Sequence, residues 1–224
     1  MHYRSLSLYL MIFSCSLSTY ASIQLKFFER LKPQIEQAQY MIQLQRKHIL
    51  EYSDGAPSGP IPQHIEKIAH AYHLNPKTLN TPQQWQTLKR RVDRWPVALI
   101  LAQAAIESNW GRSRFAQLGH NLFGLHCHTQ NCGLKPKKTS AESMDQVQYF
   151  STQQASIEHY LHTLNTHPAY SKLRHLRESM RQGHIPLSSL KLAEALTAYS
   201  EEGTAYTQRI QYLIQYYHLE DLDQ

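Results

Sequence analysis

Apolar residues recur at helical spacing along most of the chain. Residues 65–72 carry apolar side chains at the i, i+3, i+4 and i+7 positions, which together form one face of a helix. Similar stripes predict further helices over residues 85–95, 157–164, 173–180, 188–199 and 206–217. Alternating patterns typical of strands are scarce. The sequence therefore predicts a mainly α protein.

The region before residue 61 has a weaker pattern. Residues 22–50 carry apolar side chains at near-helical spacing, but Pro33 interrupts them. Residues 53–60 read Ser-Asp-Gly-Ala-Pro-Ser-Gly-Pro, a composition typical of a linker or long loop. We therefore expect residues 22–60 to form a helical extension and a Pro/Gly/Ser linker. The main domain is expected to cover residues 61–224.

The first 21 residues have the pattern of a signal peptide. Arg4 gives a basic start, residues 6–17 are apolar apart from serines and one cysteine, and residues 19–21 offer a small-residue cleavage site. The apolar stretch is shorter than a membrane span requires. Residues 1–21 therefore predict export to the periplasm or cell envelope. The alternative is a signal that is retained as a membrane anchor.

Composition and charge narrow the class of partner. Hydrophobic residues make up 42% of the chain and charged residues 18%, which excludes a disordered protein. The formal net charge is +6, and removing Arg4 with the signal leaves +5. A basic surface favours an acidic polymer such as peptidoglycan, although it also serves plain solubility. We expect no nucleic-acid partner, because no platform of basic and aromatic residues is present.

The most informative segment is the apolar run that ends at Glu107. Residues 97–106 are apolar except for Gln103, and a helix that is apolar on every side is buried on every side. Burial and the negative end of the helix dipole both disfavour the ionised carboxylate, so they raise the pKa of Glu107. A glycosidase needs such a protonated acid to donate to the leaving oxygen. The alternative is a structural Glu107 paired with Arg112 or Arg114.

Two motifs around Glu107 carry a family resemblance. Residues 107–113 read Glu-Ser-Asn-Trp-Gly-Arg-Ser, and residues 121–124 read Asn-Leu-Phe-Gly. This ordered pair, placed after an Ala-rich apolar helix, resembles the bacterial glucosaminidase family (glycoside hydrolase family 73), and within it the Bax-like members. The resemblance covers about residues 62–220 and does not explain residues 22–60.

The resemblance implies a fold, an activity and a set of site residues. The implied fold is lysozyme-like and mainly α, with a short loop or small β lobe beside a substrate groove. The implied activity is cleavage of the β-1,4 bond after N-acetylglucosamine in peptidoglycan, with Glu107 as the catalytic acid. Asn121 and Phe123 are then candidates for substrate contact, and so are Ser108 and Trp110. Core packing is the alternative for Phe123, and for Trp110 it is the favoured explanation.

A second implied element lies near the C-terminus. In the resembled family a tyrosine follows a helix, and another opens the last helix. Residues 199–206 match this layout, with Tyr199 in the first position. Tyr199 is therefore a catalytic candidate, since a phenol can orient substrate or water by hydrogen bonding. The alternative is a partly buried tyrosine at a helix end.

The second catalytic carboxylate is not fixed by the sequence. Glycosidases usually use two carboxyl groups. Residues 135–148 contain only Glu142 and Asp145, and neither lies in a recognisable motif. We favour Glu142 as the second catalytic residue. The N-acetyl group of the substrate can also replace a protein nucleophile, which would leave Glu107 as the single essential carboxyl.

Cysteines and histidines raise the question of a metal site. Cys127 and Cys132 form an even pair in an exported chain, which favours a disulfide. His126 and His128 flank Cys127, so zinc is the alternative. The chain has no His-Glu-x-x-His spacing and no Gly-rich phosphate loop. We therefore expect no metal and no cofactor.

Three functions remain open from the sequence. The first is a hydrolytic glucosaminidase acting on peptidoglycan glycan strands as a monomer. The second is a lytic transglycosylase, which would use the same glutamate but close the muramic acid ring instead of adding water. The third is a peptidoglycan-binding protein without turnover. Retention of Glu107 favours an enzyme, and the Trp-Gly and Asn-Leu-Phe-Gly motifs favour the hydrolase.

Overall fold

The computed structural model describes residues 6–55, 59–137 and 145–223, with side chains from residue 23 onward. Nine α-helices occur in this part of the chain: α1 (Leu6–Asp54), α2 (Gln63–Ala71), α3 (Pro82–Arg91), α4 (Val97–Glu107), α5 (Arg114–Gly119), α6 (Gln153–Thr166), α7 (Ser171–Gln182), α8 (Ser189–Glu194) and α9 (Thr204–Tyr216). Short 3₁₀ turns cover Pro76–Thr78, Pro168–Tyr170, Leu196–Ala198 and Leu219–Leu222. The predicted mainly α, lysozyme-like class is confirmed.

Helix α4 forms the centre of the fold. Every side chain from Val97 to Ala105 is buried, as its uniformly apolar sequence requires. Helices α1, α8 and α9 pack around it. The helix ends at Glu107 because Asn109, Trp110 and Gly111 all adopt positive φ angles of 49°, 58° and 73°. Consecutive left-handed residues break the helical ladder, so Glu107 is placed at the edge of the core.

Helix α1 is continuous through Pro33 and runs to Asp54. The predicted interruption at Pro33 is therefore wrong: the helix continues through the proline, which lies on the exposed face, where water can bond the carbonyl of Glu29 that loses its backbone partner. The opposite face is buried in the core shared with α4 and α6, through Phe27, Phe28, Leu31, Ile35, Ala38, Ile42 and Ile49. The side chain of Gln39 also bonds both to the carbonyl of Trp95 (2.6 Å) and to its backbone N–H (3.1 Å). The boundary at Ile61 stays a prediction.

The buried carboxylate of Asp93 forms ion pairs that connect the start of α4 to the helices around it. Asp93 lies 3.1 Å from Arg181, 3.6 Å from Arg46 and 3.8 Å from Arg177. Burial alone would raise the pKa of Asp93, but the three guanidinium groups outweigh it and hold that pKa below its usual value. Since Arg46 belongs to α1 and the other two arginines to α7, Asp93 joins both helices to the start of α4.

A small antiparallel sheet forms beside the helices. Its strands β1 (His126–Cys127), β2 (Gly133–Leu134) and β3 (Gln146–Gln148) have the order β1-β3-β2. Cys127 and Cys132 form the predicted disulfide, which closes the turn between β1 and β2. The sheet is the small β lobe expected from the sequence. Among the described helices, none is long and apolar enough to cross a membrane.

Candidate active site

Glu107 lies where three elements meet. It is the last residue of α4, and its half-buried carboxyl group accepts a hydrogen bond from the hydroxyl of Tyr206 on α9. The Asn-Leu-Phe-Gly turn passes directly beside it: a Cβ atom added at Gly124 would lie 3.6 Å from Oε2 of Glu107. The φ angle of Gly124 is +63°, a conformation that favours glycine. The Glu-Ser-Asn-Trp-Gly-Arg-Ser motif and the Asn-Leu-Phe-Gly motif, which are separate in sequence, are therefore adjacent at the carboxyl group of Glu107.

The environment of Glu107 favours the protonated form of its carboxyl group. Burial raises the pKa of Glu107, and nearby Glu202 adds to the rise. The Tyr206 hydrogen bond and the charge of Arg209 act in the opposite direction, but the net pKa is above the usual value for glutamate. Arg209 and Glu202 form an exposed ion pair at 2.6 Å. A glutamic acid held this way can donate a proton closer to neutral pH than an exposed one.

A chain of buried hydrogen bonds fixes the Tyr206 hydroxyl. Gln103 lies one helical turn before Glu107 and is fully buried, and its Nε2 donates to the hydroxyl of Tyr206 (3.0 Å). The hydroxyl of Tyr160 on α6 donates to Oε1 of Gln103. Because the Tyr206 oxygen accepts from Gln103, its own hydrogen is available for Glu107. Helices α4 and α6 therefore fix the Tyr206 hydroxyl of α9 beside the carboxyl of Glu107.

The sequence interpretation did not identify Gln103 or the role of Tyr206. A signal for Gln103 was present: it is the single polar residue of an apolar helix, four positions before Glu107 and hence on the same face. No signal in the sequence pointed to Arg209 or Glu202, because their proximity to Glu107 depends on how α9 packs against α4.

Asn121 organises the turn that crosses Glu107. Its side chain is buried and makes four hydrogen bonds to backbone groups. Its Oδ1 accepts from the N–H groups of Phe123 (3.2 Å) and Leu125 (3.1 Å), and its Nδ2 donates to the carbonyls of Leu125 (2.8 Å) and Gln148 (2.9 Å). These bonds tie the turn to strand β3. A substrate contact by Asn121 stays a prediction.

Phe123 and Tyr199 complete an aromatic cluster behind Glu107. Phe123 is buried and stacks on Tyr160 with ring centroids 3.9 Å apart. Tyr199 stacks on Tyr206 at 5.4 Å, and its hydroxyl donates to the carbonyl of Phe123 (2.6 Å). Burial raises the pKa of Tyr199 well above its usual value, so this hydroxyl stays neutral. The cluster places Tyr199 at the site, while its catalytic role stays a prediction.

Ser108 and Trp110 lie on the inner side of the motif. Ser108 is buried, and its hydroxyl donates to the Ala104 carbonyl and accepts from the N–H of Gly111 (2.7 Å). It therefore stabilises the end of α4. Trp110 makes edge contacts with Phe27 and Phe28 of α1 and with Tyr217, at 5.2–5.9 Å. This environment supports core packing for Trp110, and substrate binding by either residue stays a prediction.

The small lobe carries the remaining candidates. Asp145 accepts from Nδ1 of His126 (2.7 Å) and lies 3.7 Å from Nδ1 of His128. The His126 bond lowers the pKa of Asp145. Glu142, the favoured second carboxylate, lies outside the described residues. Zinc binding by the two cysteines is ruled out by their disulfide, and the described residues contain no group of three or more side chains placed to hold a metal.

The site and fold together define a class. A half-buried glutamate with a raised pKa, at the end of a buried helix and beside a fixed turn, is compatible with the general acid of a glycosidase. The chain belongs to the glucosaminidase family: the family described as mannosyl-glycoprotein endo-beta-N-acetylglucosaminidase matches residues 82–219, more than half of the protein.

A named relative supports the same assignment. The chain is similar to Protein bax of Escherichia coli (strain K12), with 33% identity over 142 residues. The matched region covers 63% of this chain and 50% of that protein, so the chain spans about half the length of this curated relative. No solved structure matches the chain significantly. The predicted Bax-like, glucosaminidase-family membership is confirmed.

Proposed function

We propose that this protein hydrolyses the β-1,4 bond after N-acetylglucosamine in the glycan strands of peptidoglycan, with Glu107 as general acid. The observation that carries the proposal is the placement of Glu107. Its carboxyl ends a buried helix, has a raised pKa, is oriented by Tyr206 and lies beside the turn at Gly124. Family membership supports a glycan as substrate.

The chemistry follows from these positions. The Glu107 carboxyl donates its proton to the glycosidic oxygen while the bond from that oxygen to C1 breaks. The positive charge that develops on the anomeric carbon, C1, is stabilised by a second group. This group is either a carboxylate such as Glu142 or the acetamido oxygen of the sugar itself. Water then adds to C1, and its proton returns to Glu107. Tyr206 and Gln103 keep the carboxyl aimed at the same point throughout both steps.

The cellular setting is part of the proposal. Peptidoglycan lies outside the cytoplasmic membrane, so the hydrolase acts in the periplasm or at the cell envelope after export by residues 1–21. The mature chain works as a monomer, and contacts a membrane only if residues 1–21 are retained as an anchor. The net positive charge of the chain supports attraction to the acidic wall polymer.

The nature of the new glycan ends tests the reaction. Purified peptidoglycan is digested with residues 22–224, and the released fragments are identified by mass spectrometry. Hydrolysis at the proposed bond gives reducing N-acetylglucosamine ends. Anhydro-muramic ends would instead identify a transglycosylase. Fragments of neither kind, with binding to the wall retained, would favour a binding protein.

A further inference from the structure

Two exposed tyrosines lie side by side on helix α9. Tyr212 is 66% exposed and Tyr216 is 61% exposed, and their rings stack with centroids 5.7 Å apart. Single exposed aromatic residues are common, but two adjacent rings form a contiguous apolar patch of the kind that marks a binding surface. Their spacing of four residues places them on one face of the helix, which no other described element covers.

Arg209 connects this face of α9 to the proposed active site. Arg209, Tyr212 and Tyr216 occupy the i, i+3 and i+7 positions and share one face of the helix, whereas Tyr206, which contacts Glu107, lies on the buried face. Arg209 is close enough to Glu107 to lower the pKa of that carboxyl. At a rise of about 1.5 Å per residue, the backbone positions of Tyr212 and Tyr216 follow Arg209 by about 4.5 Å and about 10.5 Å along the helix axis. The tyrosines therefore continue, away from Glu107, the face that Arg209 begins.

A groove runs along this face. Its volume is about 360 Å³, within the range of small-ligand sites. Its lining includes Ile106, the residue before Glu107, and Trp110, together with Arg209, Tyr212 and Tyr216 of α9. Gln24 of α1 is also part of the lining, but its side chain is buried and accepts a hydrogen bond from Tyr217. The groove thus combines open aromatic faces with the charge of Arg209.

We propose that this groove is a subsite for an N-acetylhexosamine unit of the same glycan strand, away from the bond that is cleaved. The proposal rests on the proposed function, because a polymer cut in its interior extends beyond the catalytic residue. The faces of a pyranose ring present C–H groups that pack on aromatic rings, while its hydroxyl and amide groups need polar partners. The Tyr212–Tyr216 pair supplies the aromatic rings, and Arg209 supplies an exposed polar partner.

Binding to the wall tests the subsite without requiring turnover. In a Glu107→Gln background, retention on purified insoluble peptidoglycan is measured for Tyr212→Ala/Tyr216→Ala, for Tyr212→Phe/Tyr216→Phe and for Tyr40→Ala. Tyr40 is a matched control, since it is 58% exposed on α1. Loss of two stacking faces predicts roughly tenfold weaker binding. The Phe pair keeps the rings and should bind nearly normally, as should Tyr40→Ala.

The outcomes separate the subsite from the hydrolase. Unchanged retention of the double Ala variant would overturn the subsite, whatever the enzyme does. The subsite would also be overturned if the double Ala variant bound peptidoglycan normally but lost binding to anionic phospholipid vesicles. That result would assign the face to a membrane. A chain that binds the wall through these tyrosines but releases no fragments would keep the subsite and overturn the hydrolase. In the active enzyme, we expect the double Ala variant to raise KM with kcat little changed.

Discussion

At the scale of single residues, the account depends on how one carboxyl group is held. The core of α4 desolvates Glu107, and the hydroxyl of Tyr206 gives it a fixed hydrogen-bond donor. Burial and hydrogen bonding act in opposite directions on its pKa, and burial prevails. The two effects can therefore be separated by mutation.

Tyr206→Phe removes the donor but leaves the ring. Because the hydrogen bond lowers the pKa of Glu107, its loss raises that pKa further. A general acid works only while protonated, so the basic limb of the kcat/KM profile should move to higher pH. The rate at the optimum should fall about tenfold or more, because the carboxyl loses its orientation. The check is a pH–rate series, with Tyr40→Phe as an exposed control. An unmoved basic limb would contradict the proposed hydrogen bond.

Gly124 tests how closely the turn approaches the carboxyl. Gly124→Ala adds a Cβ 3.6 Å from Oε2 of Glu107 and places alanine at a φ of +63°, a strain of about 1 kcal/mol. Gly203→Ala serves as a comparison, since its φ of +56° and ψ of −117° also disfavour alanine but nothing lies within 4 Å of the added atom. We expect both variants to lose stability in urea unfolding, and a larger loss of activity for Gly124→Ala. Equal activity of both variants would show that crowding at Glu107 is unimportant.

At the scale of elements, the sequence predicted best what its local composition determines. Helix α4 was predictable because residues 97–106 are apolar on every face of the helix. The amphipathic helices were predictable from the periodicity of their apolar residues. Strands of two or three residues carry too little pattern to be predicted, so the sheet was expected only through the family resemblance. The continuity of α1 was missed because proline inside a helical pattern normally predicts a break. The sequence did not show that Pro33 would lie on the exposed face of a helix whose other face is buried.

The residues of the candidate site also differ in how far the local sequence predicts them. The resemblance led directly to Glu107, the Asn-Leu-Phe-Gly turn and Tyr199, because each belongs to a local motif. Gln103 and Tyr206 act through a bond between α4 and α9, and Arg209 and Glu202 through an ion pair beside it. Contacts between helices distant in sequence leave no local pattern. Single-sequence reasoning finds the motif residues and misses the groups that position them.

At the scale of the whole molecule, α1 is part of the structure that supports the site. Its buried face includes Phe27 and Phe28, which pack against Trp110, three residues after Glu107. A chain that starts at residue 61 would expose this core surface. We expect it to unfold at lower denaturant concentration than residues 23–224, or to aggregate, as measured by urea unfolding and light scattering. Equal stability of both chains would show that residues 61–224 fold independently.

The charge cluster at Asp93 makes a second prediction at this scale. Asp93→Asn leaves three arginines around a neutral buried group, so we expect a loss of about 3–5 kcal/mol in the free energy of unfolding. Because folding lowers the pKa of Asp93, its stabilisation is present above the pKa of the unfolded state and disappears as pH falls through the lower folded value. The wild type should therefore lose stability in acid more steeply than the variant. Parallel pH dependences would contradict a depressed pKa.

The most direct test of the central claim is the rate of reducing-end release from purified peptidoglycan by the wild type and Glu107→Gln. Glu66→Gln serves as an exposed control. Glutamine keeps the size of the side chain but has no proton to donate, so the account predicts a loss of 10²-fold or more in kcat, with wall binding retained. The control should match the wild type. Release by Glu107→Gln at a rate near that of the wild type would contradict the role of Glu107 as the general acid.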